Sequence, residues 1–180
     1  MSDAVETITL AGGCFWCVEA VFEQLRGVVG VESGYSNGQA IAPTYEQVCT
    51  GRTGHAEVVR VRFDPAELPL EDVLKVFFAT HDPTTLNRQG ADAGTQYRSG
   101  IYWSDESQRP VIERVLAEAN EAFGGRVVTE VAKLDNYSAA EAYHQHYFAN
   151  HPTQGYCAAV IGPKVEKFRK VFRERLREPA

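Results

Sequence analysis

Hydrophobic and polar positions change period several times along the chain. Residues 6–13, ETITLAGG, alternate and end in two glycines, which predicts a strand entering a turn. From Cys14 the period becomes helical: Val18, Val21, Phe22 and Leu25 recur at i, i+3, i+4 and i+7, with Glu19, Glu23 and Gln24 on other faces. This predicts a helix that stops near Gly27. Residues 28–38, VVGVESGYSNG, read as a short strand running into a loop. The cleanest strand is 56–65, AEVVRVRFDP, where Glu57, Val59, Val61 and Phe63 share one face and Val58, Arg60 and Arg62 the other. A helix follows from about Leu70, with Val73, Leu74, Phe77 and Phe78 inward, and a polar, glycine-containing loop runs from His81 to Gln96.

The second half continues with a strand at 97–103, a helix over 105–123 that ends at Gly124 and Gly125, and a strand at 126–134. The remainder predicts a short helix, a loop through 151–160 (HPTQGYCAAV), and an amphipathic helix over about 163–177 on Val165, Phe168, Phe172 and Leu176. The order is βαββαβ, then αβ and a helical tail, and its first six elements match the split βαβ arrangement. The expected fold is therefore α+β: a two-layer sandwich with a ferredoxin-like core and an irregular C-terminal tail carrying a helix, in one domain over 1–180.

Composition narrows the function. Hydrophobic residues make up 44% of the 180, enough for a full core, and the net charge of −6 argues against sequence-independent nucleic-acid binding, which needs a basic surface. The N-terminus carries acids rather than a basic region, and no stretch approaches a membrane span in length, so a cytoplasmic protein is expected. In that reducing compartment Cys14, Cys17, Cys49 and Cys157 are expected to be buried, metal-bound or catalytic rather than static disulfides.

Cys14 stands out because it falls at a strand-to-helix turn, where free N–H groups and the positive end of the helix dipole favour a thiolate. The glycines before it let the backbone turn. Phe15 and Trp16 are either core aromatics or an apolar wall beside the thiol, suited to a methyl group or thioether rather than a phosphate. Cys17, three residues on, is a neighbour on the same helix, within reach of a disulfide after modest adjustment. Glu57 shares the apolar face of its strand. Held there, its carboxyl loses solvation, its pKa rises, and it can act as a general acid; the alternative is a strand-end glutamate turned to solvent. Tyr45, Asp92 and Tyr97 sit in loops or at strand starts, with hydroxyls able to donate to an oxygen atom or simply to pack at an edge. Cys157 follows a proline-containing polar loop, from which a thiol on a mobile segment can reach a distant site.

Four segments, GCFWCVEAVFE (13–23), TGHAEVV (53–59), NRQGADAGTQYRSGIYW (87–103) and QGYC (154–157), occur in one order that resembles the peptide methionine sulfoxide reductase A family, from residue 7 to about 160. The resemblance implies that Cys14 attacks the sulfur of methionine sulfoxide and that Glu57 protonates the leaving oxygen. It also implies that Tyr45 and Tyr97 hold that oxygen, that Phe15 and Trp16 cage the substrate methyl, and that Asp92 belongs to the substrate pocket. Methionine leaves, Cys14 becomes a sulfenic acid, a second thiol condenses with it, and thioredoxin reduces the disulfide. The family acts on the S epimer, free or in proteins. Its commonest motif has glycine where this chain has Cys17. Proximity favours Cys17 as the resolving thiol, whereas flexibility and the more usual family arrangement favour Cys157, to which the expectation leans, and a relay can use both.

The expected enzyme needs no metal and no organic cofactor, binds neither nucleic acid nor membrane, and works as a monomer. Two rivals stand beside it. A general thiol-disulfide oxidoreductase would use Cys14 and Cys17, and a zinc-stabilised binding module would use the cysteines as ligands. Neither needs the aromatic pair after Cys14 or an inward Glu57.

Overall fold

A computed structural model of the chain describes residues 5–177. Strand β1 (Glu6–Gly12) leads through Gly13 and Cys14 into α1 (Phe15–Phe22), and β2 (Val28–Ser36) and the short α2 (Tyr45–Cys49) follow. Next come β3 (Ala56–Phe63) and α3 (Leu70–Ala79), then a hairpin of two-residue strands, β4 (Arg88–Gln89) and β5 (Asp92–Ala93). After it lie β6 (Ser99–Trp103), α4 (Arg109–Ala122), β7 (Glu130–Lys133), β8 (Ser138–Ala139), α5 (Tyr147–Asn150) and α6 (Gly162–Val171). None of the described helices is long and apolar enough to cross a membrane.

Six strands form one sheet in the order β7-β6-β1-β3-β2-β8. All pairings are antiparallel except β6 with β7. Strand β1 is central and pairs Leu10 with Val59 on one side and with Ile101 on the other. The period-two pattern decides which face is covered. Ile8 and Leu10 of β1, Val59, Val61 and Phe63 of β3, and Ile101 and Trp103 of β6 join one apolar cluster. That cluster also takes Val18, Val21 and Phe22 from α1, Val73, Leu74 and Phe77 from α3, Ile112 and Val115 from α4, and Phe168 from α6. The main helices thus lie on one side of the sheet, an α+β arrangement of two layers. The opposite face is thinner, with Ala11, Val58 and Tyr102 under Leu134 and Tyr137, while Arg60 and Arg62 point to solvent.

Several boundaries differ from those the sequence pattern predicts. Helix α1 ends at Phe22, not near Gly27, because the C-terminal segment captures the chain there. Arg26 N–H donates to the Arg175 carbonyl, and Leu25 bridges Leu176. Only Glu130–Lys133 of 126–134 becomes a strand. The expected loop through 151–160 is partly helical: Cys157–Ile161 form a wide π turn that runs directly into α6. Pro163 has no N–H to return to the preceding turn and its ring crowds it, which favours the wider geometry. Helix α6 then stops at Val171 and is followed by a 3₁₀ turn at Arg173–Arg175, short of 177.

Phe22 is fully buried at the end of α1. Truncation to alanine there removes a ring whose neighbours cannot all collapse into the space. Phe22→Ala is expected to cost about 3–5 kcal/mol of unfolding free energy, read from a urea titration.

Candidate active site

Cys14 is the N-cap of α1, with its own backbone still extended, and it reaches that position through Gly13 at φ +94°. A Cβ on Gly13 would lie 2.6 Å from Gln89 Cγ and 2.7 Å from Gln89 Cβ, so glycine is required for both the dihedral and the contact. Gln89 is itself pinned, because its amide exchanges two hydrogen bonds of 2.9 Å with the Asp82 backbone. Gly13→Ala is therefore expected to cost about 1–3 kcal/mol in stability and to lower activity by shifting Cys14, measured by urea unfolding and initial rates.

Glu57 is 1% exposed and faces inward from β3, opposite Tyr35 of β2. Its Oε1 accepts the N–H of Phe15, the first residue of α1, at 3.1 Å. Its Oε2 is buried without a partner. Burial pushes the carboxyl up to about 8, with Asp92 and Cys17 adding to the rise and the Phe15 N–H opposing it. The group is therefore mainly protonated at neutral pH. Since Oε1 is occupied as an acceptor, the proton belongs on Oε2, the oxygen that has no protein partner.

The thiols form a second group. All four cysteines are free. Cys14 and Cys17 share a hydrogen bond, and the effect on the two is opposite. Cys14 is held well above the usual thiol range, first by that bond and then by burial and the Glu57 charge, which together outweigh the Trp16 N–H. Cys17 is lowered first by the same bond, with burial and the Asp92 charge opposing and Lys164 and the Tyr156 hydroxyl adding to the fall. The two thiols therefore titrate as one hydrogen-bonded pair, in which Cys14 is raised and Cys17 lowered. The helix-start effect expected to make Cys14 the thiolate is present but is not the largest influence. Cys157 is fully buried in the same cluster as Cys17, Ile161 and Val165, with Cys14 packed against it. It lies in the π turn rather than on a free loop. Cys49 is exposed at the end of α2, on the Tyr45 side of the site, where its sulfur accepts the Tyr45 hydroxyl.

Aromatic rings surround this start of α1. Phe15, 1% exposed, stacks on Tyr45 with ring centres 6.3 Å apart and touches Tyr35 and His144. Trp16 stacks on Tyr147 at 3.8 Å and meets the edge of Tyr156. Tyr97 ends a 3₁₀ turn, Thr95–Tyr97, just before β6. The hydroxyls of Tyr45 and Tyr97 are both held upward, first by burial and next by the charge of Glu57, so both remain donors. Asp92 lies in β5 and accepts the Tyr156 hydroxyl at 2.8 Å. The structure thus gathers Cys14, Cys17, Glu57, Phe15, Trp16, Tyr45, Asp92, Tyr97 and Cys157 around the junction of β1 and α1.

Four further residues hold this arrangement. Glu141 accepts the Tyr35 hydroxyl and the Tyr45 N–H, each at 2.8 Å. His144 Nδ1 accepts the Trp16 indole N–H at 3.0 Å, and burial keeps the imidazole neutral. Tyr156 links Asp92 to Cys17, and the Lys164 charge helps to lower that thiol. Among these, only Tyr156 carries a sequence signal, its place beside Cys157. His144 is legible only as part of a histidine pair too closely spaced for the usual zinc pattern, and Glu141 and Lys164 read as surface charges.

Comparison with known proteins gives one answer. The family model described as peptide methionine sulfoxide reductase matches residues 6–176. The chain is 51% identical over 172 residues to peptide methionine sulfoxide reductase MsrA of Thermus thermophilus, covering 96% of this chain and 98% of that one. Among solved structures, methionine sulfoxide reductase A of Corynebacterium diphtheriae superposes with a TM-score of 0.76 at 35% identity, over 88% of this chain and 81% of that one. Mxr1 from Saccharomyces cerevisiae in reduced form gives 0.79 at 34% identity, over 85% and 89%. The structure of Mxr1 in complex with Trx2 shares the fold at 24% identity, with a TM-score of 0.56 over 79% and 84%.

Proposed function

The chain belongs to the peptide methionine sulfoxide reductase family, A type, and we propose that Cys14 is its nucleophile, Glu57 its acid and Cys17 the first thiol to resolve the intermediate. The observation that carries this reading is the free Oε2 of a buried, protonated Glu57, held beside Cys14 by the Phe15 N–H.

In this reading the sulfoxide oxygen takes the proton of the unpartnered Oε2, with the Tyr97 hydroxyl as a further donor and the Tyr45 hydroxyl joining it by turning from the Cys49 sulfur. Phe15 and Trp16 hold the methyl group, and Asp92, fixed by Tyr156, borders the substrate pocket. As Cys14 attacks the substrate sulfur, its proton passes to Cys17 and Glu57 gives its proton to the oxygen. The hydroxyl then shifts from the substrate sulfur to the Cys14 sulfur as the S–S bond between them breaks, so methionine leaves with its lone pair restored and Cys14 is left as a sulfenic acid. Cys17 then attacks that sulfur and displaces the oxygen as water, leaving a Cys14–Cys17 disulfide. Cys157, packed behind Cys17, can attack the Cys17 sulfur and pass the disulfide inward, which frees Cys14. Burial and the Cys17 charge hold the Cys157 thiol up, so it follows rather than precedes Cys17. Thioredoxin is the proposed reductant, in keeping with the complex of Mxr1 with Trx2. Free and protein-bound methionine S-sulfoxide are the proposed substrates, in a monomeric, cytoplasmic enzyme.

The finer fold belongs to the same reading. Strands β6-β1-β3-β2, the first four full strands in spatial order, carry the alternation expected of a ferredoxin-like βαββαβ core. The segments after β7 form the added C-terminal part, and the whole makes one domain.

The test is a rate comparison on the two epimers of a peptide methionine sulfoxide, with thioredoxin as reductant. The S epimer should be consumed and the R epimer left. Equal loss of both, or loss of neither, contradicts the reading.

A further inference from the structure

One cavity among the described residues does not contain Cys14, Glu57 or the tyrosines around them. It encloses about 550 Å³ between the end of α3, the loop after it, the end of α4 and α6. The size falls in the range of small-molecule sites. Phe123, Phe168 and Phe172 supply apolar wall, and Val171, 64% exposed, stands at its edge. Arg126, Lys164 and Lys167 line the same space. None of the three forms an ion pair among the described residues. The one carboxylate on the wall, Asp82, already accepts both the N–H and the hydroxyl of Thr84. Three cations against one satisfied carboxylate leave the cavity positive, although the chain as a whole is negative.

We infer that this cavity binds a small organic anion with a flat apolar body, such as an aryl-substituted carboxylate, its ring among the phenylalanines and its charge on the lysines. The ring gains by burial against apolar side chains. The carboxylate gains charge-assisted hydrogen bonds in a partly enclosed place. The position also couples the site to the thiols. A narrow second cavity lies next to it, lined by Cys17, Gly12, His81 and Lys164, so Lys164 borders both spaces. An anion seated on Lys164 takes up part of the positive charge that steadies the Cys17 thiolate. This coupling, unlike the binding itself, rests on the reading of Cys17 as the resolving thiol.

The experiment is calorimetry on the reduced full-length protein with three probes: indole-3-propionate, its uncharged amide, and acetate. Indole-3-propionate should bind at one site per chain, with the amide and acetate each at least about tenfold weaker. Lys167→Glu and Val171→Glu change exposed side chains of the cavity and should each weaken indole-3-propionate at least about tenfold while leaving basal activity unchanged. No binding at millimolar concentration, equal binding of acid and amide, or binding unaffected by both variants would each overturn the site. In rapid-mixing runs, saturating indole-3-propionate should slow disulfide formation several-fold, and an unchanged rate with the ligand bound would remove the coupling and leave the binding site standing. A failure of the reductase reading would instead appear without any ligand, as absent methionine formation, so the two are distinguishable.

Discussion

Replacing Glu57 with glutamine should lower kcat by about 10²–10⁴-fold, the range for loss of a positioned general acid, with a much smaller change in KM. Glutamine keeps the size and can still accept the Phe15 N–H, but it has no proton to give to the leaving oxygen. The wild-type pH profile should carry the same signature. With Glu57 pushed up to about 8, the acid is in its working form below that value, and kcat/KM should fall as pH rises through it. Stability should also fall as pH rises, over the window below that value. The folded carboxyl holds its proton to about 8 and the unfolded one only to about 4.5, so between those values the unfolded state is the first to ionise. Wild type therefore loses stability relative to Glu57→Gln as pH climbs from about 4.5 to about 8. Thermal melts of both proteins at pH 5 and pH 8 check this. A variant that is slower but more stable at the higher pH is the expected pair of results, and a glutamine variant with full rate at neutral pH would remove Glu57 as the acid.

Cys17→Ser should have the next largest effect, lowering thioredoxin-supported turnover about 10²-fold, because one side chain both receives the Cys14 proton and closes the first disulfide. The first turnover should still yield methionine, more slowly, and leave a sulfenic acid on Cys14 that a dione reagent traps for mass spectrometry. Cys157→Ser should behave differently. It leaves the hydrogen-bonded Cys14–Cys17 pair intact, so the first disulfide should form at the wild-type rate and only later reduction should slow. If Cys157→Ser instead accumulated the sulfenic acid and Cys17→Ser did not, the order of the two thiols would be reversed.

Much of this arrangement is legible in the order of residues alone. The alternation in β3 puts Glu57 on the buried face because a strand has only two faces and Val59, Val61 and Phe63 mark the inner one. The change of period at Cys14 places that thiol at a helix start, as found. The segment between β7 and α6 is not legible in the same way. It has no sustained period, and its path is set by single polar contacts from side chains far away in sequence. Gln145 pairs its side-chain amide with both backbone groups of Ser33, each at 2.9 Å, much as an edge strand would. Glu19, buried on α1, accepts the His146 N–H at 2.9 Å, where His146 adopts a left-handed backbone. Such contacts bring Tyr147, Tyr156 and Cys157 over the start of α1, and no hydrophobic pattern announces them. The balance between Cys14 and Cys17 is hidden for a related reason. The helix terminus is visible in the sequence, but Lys164 and Tyr156, which favour charge on Cys17, come from the other end of the chain.

The most direct test of the central claim, that Cys14 reduces the sulfoxide, is a single turnover without reductant. Prereduced protein is mixed with excess methionine S-sulfoxide, methionine is counted, and the disulfide is mapped by mass spectrometry. The account predicts about one methionine per chain in the fast phase, a Cys14–Cys17 bridge in the earliest samples, and no product from Cys14→Ser. Methionine formed at an undiminished rate by Cys14→Ser, or none formed by the wild type, would contradict it.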